Sequence, residues 1–99
     1  ALGQRVWFVE GEGPKLEPVR SAEDLARLDR GRAMAVLAPV FETVRRLRRE
    51  LPPATALIGF AGSPWTVATY MVEGTSGHDF ARTKDFAYGE ETAFGRLIA

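Results

Sequence analysis

The sequence predicts an α/β fold with a parallel sheet, because two short apolar runs alternate with helical patterns. Val6–Val9 is rich in residue types that favour strands and is followed by the turn-forming glycines Gly11 and Gly13. The continuous apolar run 56–61 is typical of a strand buried on both faces. The order strand, helices, strand, helices indicates parallel strands. Two strands cannot close a sheet, so we expect the remaining strands to come from further chain.

Two helices are predicted between these runs. Ser21 and Asp24 resemble a capping box, which predicts a short helix through about Leu28. A longer helix follows, and Pro39 inside it predicts a kink or a fresh start. Pro52 and its neighbour Pro53 end it. Its apolar residues recur every three or four positions and share one face: Ala33, Leu37, Val40, Val44, Leu47 and Leu51.

Three helices are predicted after the second run. Ser63 followed by Pro64 is a strong helix start, and Gly74 is expected to end that helix just after Glu73. Asp79 is predicted to cap a helix that runs through about residue 86. The stretch 90–99 reads as one more helix.

Composition excludes several classes of protein. The 99 residues carry 13 basic and 13 acidic side chains, so no overall field favours nucleic acid or an anionic membrane. There is no cysteine, which excludes disulfide frameworks and thiolate zinc sites. No apolar run approaches the roughly 18 residues of a membrane helix. We therefore expect a cytoplasmic protein that binds neither nucleic acid nor membrane.

An arginine cluster closes the longer helix, and it has two interpretations. A solvated helix face is favoured, because cations stabilise a helix C-terminus and Glu42 lies one turn before one of the arginines. An anion-binding patch is the alternative, although no aromatic residues interleave the basic ones. The cluster consists of Arg45, Arg46, Arg48 and Arg49.

The segment from residue 56 to Gly74 is the best candidate for a binding site. It would place a helix N-terminus at the carboxyl end of a parallel strand, where ligands bind in α/β sheets and where anions are favoured. Thr66, Tyr70 and Glu73 are spaced four and three apart, so they share one helix face. The Tyr70 phenol can donate a hydrogen bond to a carboxylate. Trp65 is expected in the core or in the wall of a cleft.

The run Gly59–Gly74 resembles the second signature of the uroporphyrinogen decarboxylase family. Its fixed positions are Gly-Phe, two small residues, Pro, an aromatic residue, Thr, an aliphatic residue, Tyr and Glu-Gly, and all are met. Looser similarity extends over essentially the whole chain. The resemblance implies a (β/α)₈ TIM barrel, of which residues 1–99 would be part of one domain, with about two strands and their helices from the N-terminal half.

The resemblance also implies an activity and a division of roles. The family decarboxylates the four acetate side chains of uroporphyrinogen III to give coproporphyrinogen III in heme biosynthesis, without a cofactor or metal. Tyr70 matches its substrate-binding tyrosine, and Phe60 matches a phenylalanine that lines the pocket. The family's catalytic aspartate would precede residues 1–3, so no catalytic residue is expected in this chain. His78, Asp79 and Asp85 match no family role.

The absence of a catalytic residue and the two ends of the chain lead to further expectations. The chain lacks an initiator Met and stops inside a predicted helix, so we expect a piece of a longer enzyme, inactive by itself. The resemblance implies that the full-length enzyme is a homodimer. Exposed edges of the two parallel strands predict that the isolated piece folds poorly or aggregates.

Two other functions remain open at this point. A corrinoid-related methyltransferase of the same superfamily would need a zinc site, towards which this chain offers one His and no Cys. A non-enzymatic, anion-binding helical module would use the arginine cluster. Zinc ligands beyond this chain would favour the first, and salt-dependent binding of polyanions would favour the second.

Overall fold

The computed structural model describes residues 1–75 and 79–99. It contains two strands, β1 (Val6–Val9) and β2 (Gly13–Leu16), and a 3₁₀ turn at Arg30–Arg32. Five helices complete it: α1 (Ala22–Ala26), α2 (Ala33–Glu50), α3 (Pro64–Glu73), α4 (Ala81–Gly89) and α5 (Glu91–Ile98). The described part of the chain is therefore a mixed α/β structure without a closed barrel.

The two strands form a hairpin, which corrects the predicted parallel sheet. β1 and β2 pair antiparallel, with Val6 opposite Leu16 and Val9 opposite Gly13. Gly11 and Gly13 have φ values of 77° and 80°, a backbone conformation that glycine adopts without steric cost, so the predicted strand and turn at this place are confirmed. The second strand was not predicted, because Gly13 and Pro14 are residues that strands disfavour.

The predicted buried strand at 56–61 is wrong for the described chain. These residues form neither helix nor strand, and all of them are exposed. A buried parallel strand needs a neighbouring strand on each side to bond its backbone and helices to cover its faces. No partner strand for this segment lies within residues 1–75 and 79–99.

Helices α1 and α2 begin and end close to their predicted positions. The Ser21 side chain caps α1 by accepting a hydrogen bond from the Asp24 N–H, and α1 ends two residues earlier than predicted. α2 continues through Pro39 without starting again. It has no fully buried residue, so its predicted apolar face is largely uncovered, with Val40 and Val44 about half exposed.

The core lies where α3, α4 and α5 meet and where α3 contacts the N-terminal segment. In one cluster, Ala68 and Val72 of α3 pack against aromatic and small residues of α4 and α5. In the other, Met71 of α3 packs against Val19 and Leu25. Helix α3 is therefore the central element of the described structure, with one side on each cluster.

Candidate functional site

The N-terminus of α3 is formed by the predicted Ser-Pro start. Ser63 has extended backbone angles, and its Oγ accepts a hydrogen bond of 3.2 Å from the Thr66 N–H. The same Oγ lies 2.9 Å from Thr66 Oγ1, which ties both hydroxyls to the first turn. Pro64 occupies the first helical position, where its missing N–H costs nothing. The first turn of α3 is therefore capped and exposed, with the positive end of the helix dipole facing solvent.

The C-terminus of α3 is held by the N-terminal segment of the chain. The last carbonyls of a helix lack partners within it. Here the Met71 carbonyl accepts from the Val19 N–H at 2.9 Å, and the Val72 carbonyl accepts from Arg20 Nε at 3.0 Å. A cation at this end also complements the helix dipole. Three further hydrogen bonds act at this end. Gln4 Nε2 donates to the Met71 carbonyl, Arg20 Nη2 donates to the Glu73 carbonyl, and the Leu16 N–H donates to the Gly74 carbonyl.

Tyr70 lies between these two fixed ends, on the exposed side of α3. Its side chain is 38% exposed, and its hydroxyl makes no hydrogen bond with residues 1–75 or 79–99. The other two residues predicted to share its face are engaged locally: Thr66 with Ser63, and Glu73 with Thr83. Tyr70 is thus the member of that face whose polar group is available to a ligand.

Phe60 is fully exposed, at 100% of its reference surface, in the irregular stretch before α3. It therefore does not touch Tyr70, and the structure does not bring the two predicted substrate contacts together. The glycines around Phe60 differ in their surroundings. A Cβ at Gly59 would meet nothing within 4 Å, whereas one at Gly62 would lie 3.1 Å from Val67 Cγ2. Of these two glycines, Gly62 is thus the one at a closely packed position.

Trp65, expected in the core or in a cleft wall, is about half exposed at the start of α3. Its ring meets Phe94 edge to face, with 5.9 Å between centroids, and Phe94 meets Phe86 in the same way. The three rings of Trp65, Phe94 and Phe86 thus connect the exposed start of α3 to the core. Trp65 therefore supports the first turn of α3 from one side.

The other residues singled out from the sequence, where the structure describes them, have no contact that indicates a ligand site. Asp79 was predicted to cap α4; its carboxylate accepts from the Ala81 N–H at 3.2 Å, but the N-cap residue is Phe80, one position later. Asp85 is exposed, and His78 lies outside the described residues. Glu42 pairs with Arg45 and Arg46 on the surface of α2, as the solvated-face interpretation predicts.

Residues 1–75 and 79–99 contain no group of three His, Cys, Asp or Glu side chains that could hold a metal ion. Among the same residues, every helix is too short or too polar to cross a bilayer. One apolar groove of about 400 Å³ lies near both chain ends, lined by Leu2, Leu25, Leu28 and Leu97 with two arginines, and it includes neither Tyr70 nor Phe60.

Two residues that support α3 were not predicted from the sequence. Arg20 caps the C-terminus of α3 from 52 residues away, and Thr83 binds Glu73 across ten residues. Glu73 was predicted only to share a helix face with Thr66 and Tyr70. No local pattern could have indicated these contacts, since each depends on how separate elements pack.

The architecture and the motif together define the class of protein. An α/β polypeptide presents a serine-capped helix with an exposed tyrosine, preceded by an irregular stretch that contains Gly59 and Gly62. The model of the uroporphyrinogen decarboxylase family matches residues 1–99. The chain therefore belongs to the uroporphyrinogen decarboxylase family.

Curated relatives agree along the whole chain. It is 50% identical over 98 residues to a uroporphyrinogen decarboxylase of Rhodospirillum rubrum, covering 99% of this chain and 28% of that protein. Identity is 51% over 98 residues to the protein of that name from Gluconobacter oxydans, again with 99% and 28% coverage. It is 54% over 99 residues to the one from Paracoccus denitrificans, with 99% and 29% coverage. The chain thus spans between a quarter and a third of the length of these relatives.

Proposed function

We propose that this chain is part of a uroporphyrinogen decarboxylase, a cofactor-independent carboxy-lyase of porphyrin and heme biosynthesis. The observation that carries the proposal is the complete signature at Gly59–Gly74, within a chain about half identical throughout to proteins of that name. In this proposal the enzyme converts the four acetate groups of uroporphyrinogen III to methyl groups. The names of these relatives give no support to the methyltransferase alternative.

Residues 1–99 would form part of one (β/α)₈ barrel domain in that longer enzyme. The exposed apolar run 56–61 would there become a barrel strand, bonded by neighbours that the longer chain provides. This would place Phe60 and the start of α3 at the carboxyl ends of the strands, where barrel enzymes hold their substrates. The longer enzyme would be a cytoplasmic homodimer.

Tyr70 and Phe60 would contact the substrate, and catalytic groups would come from outside this chain. Uroporphyrinogen carries many carboxylates, which suit a phenol donor and the positive end of a helix dipole. Phe60 would supply apolar surface to the macrocycle. Because no residue here has a catalytic role in the proposal, we expect the 99-residue chain alone to be inactive.

The test is Tyr70→Phe in the longer enzyme, which removes the hydroxyl and keeps the ring. Loss of a hydrogen bond to a charged group should lower kcat/KM by about tenfold or more. Tyr88→Phe is the matched control, since the only other tyrosine is 81% exposed in α4 and should leave the rate unchanged. Equal rates for both variants would remove Tyr70 from the substrate site.

A further inference from the structure

We propose that Glu73 is a positioning residue: through its bonds to Thr83 it fixes the rotation of α3 and so the direction in which Tyr70 points. The inference rests on the proposed function, in which Tyr70 contacts substrate. It gives Glu73 and Thr83 a role in substrate binding although neither touches the substrate. Two observations carry it: the bonds themselves, and the start of α4, whose N-cap residue Phe80 supplies no side-chain acceptor.

Two hydrogen bonds join Glu73 to Thr83, and Thr83 is buried. Glu73 Oε1 accepts from the Thr83 backbone N–H and from Thr83 Oγ1, both at 2.9 Å. Thr83 has no solvent exposure. Hydrogen bonds to a carboxylate are shorter and stronger than those between neutral groups. One carboxylate oxygen thus joins α3 and α4 at a defined point and angle.

The N-cap residue of α4 supplies no side-chain cap, and the Glu73 carboxylate takes that role. The N-cap residue Phe80 has a φ of 60° and no side chain that accepts a hydrogen bond. The first N–H groups of a helix need acceptors from outside it. Thr83 is the third residue of α4, the position at which a capping side chain normally binds. Glu73 therefore caps α4 from another helix.

The apolar contacts of α3 do not determine its rotation by themselves. Ala68 and Val72 pack in one apolar cluster and Met71 in the other, and the bonds from the N-terminal segment act on the backbone of the last turn. Dispersion and hydrophobic contacts are not directional, whereas a double hydrogen bond is. Glu73 lies one turn beyond Tyr70 on the same side of α3. Fixing Glu73 against Thr83 therefore helps to set the direction of the Tyr70 phenol.

A direct contact between Glu73 and substrate is the competing interpretation, and charge argues against it. The proposed substrate is rich in carboxylates, which a free carboxylate would repel. Bound at the N-terminus of α4, the negative charge of Glu73 instead complements the dipole of that helix. The arrangement engages the Glu73 carboxylate with Thr83 and leaves the neighbouring Tyr70 exposed.

The experiment compares Thr83→Val and Thr83→Ser in the longer enzyme. Valine keeps the shape but removes the hydroxyl donor, so KM should rise about fivefold with kcat little changed, because small displacements of a binding group weaken binding steeply. Serine restores the donor and should restore KM to within about twofold of the parent. Ser21→Ala, at the remote cap of α1, controls for stability: it should lower Tm without changing KM.

A double-mutant cycle with Tyr70→Phe separates the inference from the proposed function. If Glu73 acts through Tyr70, then Thr83→Val should change KM by less than about twofold once the hydroxyl is gone. An undiminished effect in that background, or equal effects of valine and serine, would overturn the positioning role. A Tyr70→Phe enzyme with unchanged kcat/KM would instead remove Tyr70 from the substrate site and overturn the inference with it.

Glu73→Gln provides a second variant should Thr83→Val fail to fold. Glutamine keeps the Oε1 acceptor but loses the charge, so the contact weakens without disappearing. We expect a rise in KM of about twofold to threefold that vanishes in the Tyr70→Phe background. No rise in KM would contradict the inference.

Discussion

Gly74 shows most directly how a single residue holds the site together. It ends α3 with a φ of 79°, a conformation that costs other residues about 1–2 kcal/mol. A Cβ there would also lie 2.7 Å from the Leu16 carbonyl oxygen and 3.0 Å from Pro18 Cγ. The final glycine of the signature is therefore explained by the close passage of β2 and the segment after it.

Gly74→Ala should lower the unfolding free energy of the longer enzyme by more than about 2 kcal/mol, from backbone strain and the clash together. Gly89→Ala is the matched control, because a Cβ there meets nothing within 4 Å and its φ is not positive. That change should be neutral or stabilising by less than about 1 kcal/mol. Denaturant unfolding measures both; similar losses at the two glycines would refute the explanation.

At the scale of elements, α1 shows how one short helix depends on its capping side chains. The Asp24 carboxylate accepts from the Arg20 backbone N–H at 3.0 Å and pairs with Arg27 at 2.6 Å. The hydrogen bond from the Arg20 backbone, with help from Ser21 and Arg27, lowers the pKa of Asp24 below its usual value of 3.8. A carboxyl with a lowered pKa stabilises the fold when ionised.

Asp24→Asn should therefore destabilise the longer enzyme at about pH 7, and its difference from the parent should shrink as the pH falls below about 4. The reason is that the unfolded chain takes up the proton first, so the contribution of Asp24 disappears as the pH passes through its folded pKa. Glu23→Gln controls for losing one negative charge in the same turn. Urea unfolding at several pH values tests this; a difference that stays constant down to about pH 3 would contradict it.

The helix boundaries could be read from the sequence because the groups that set them are neighbours in the chain. Ser21, Ser63 and Gly74 each act within four residues of their partners, so local chemistry predicted where α1 and α3 begin or end. The structure of the run 56–61 is not set by neighbours in the chain. A strand needs partners from distant chain, and residues 1–75 and 79–99 do not contain them.

Some features of the candidate site could likewise be predicted from the sequence, and others could not. The serine cap, the glycine stop and the position of Tyr70 followed from spacing alone. Arg20 at the end of α3 and Thr83 beside Glu73 could not be predicted, because each contact joins elements whose packing no short pattern encodes. The placement of Tyr70 and Phe60 against a substrate stays a prediction.

The whole molecule is extended for its length. Its radius of gyration is 16.3 Å, against about 13 Å for a compact domain of 100 residues. Its extents are 50 × 32 × 22 Å, and α2 has no fully buried residue. Apolar side chains are therefore uncovered along α2 and in the run 56–61, including Met34, Val40, Val44, Ile58 and Phe60.

The isolated 99-residue chain should consequently associate with itself or melt without a sharp transition. Uncovered apolar faces, rather than the edges of parallel strands, are the physical cause. Sedimentation velocity and calorimetry measure this directly, with the longer enzyme as the control that should melt cooperatively. A monomeric chain with a single sharp calorimetric transition would disprove the expectation.

The bonds at the end of α3 also have a consequence for chain entropy. Arg20 and Val72 lie 52 residues apart, so their contact closes one large loop that contains α1, α2 and the exposed run before α3. The entropy of closing a loop grows only with the logarithm of its length, and each doubling costs about 0.6 kcal/mol. Residues 52–62 form no helix or strand and are exposed throughout. In the chain as described, that stretch could gain or lose residues at little thermodynamic cost, while the junction between Arg20 and α3 kept its register.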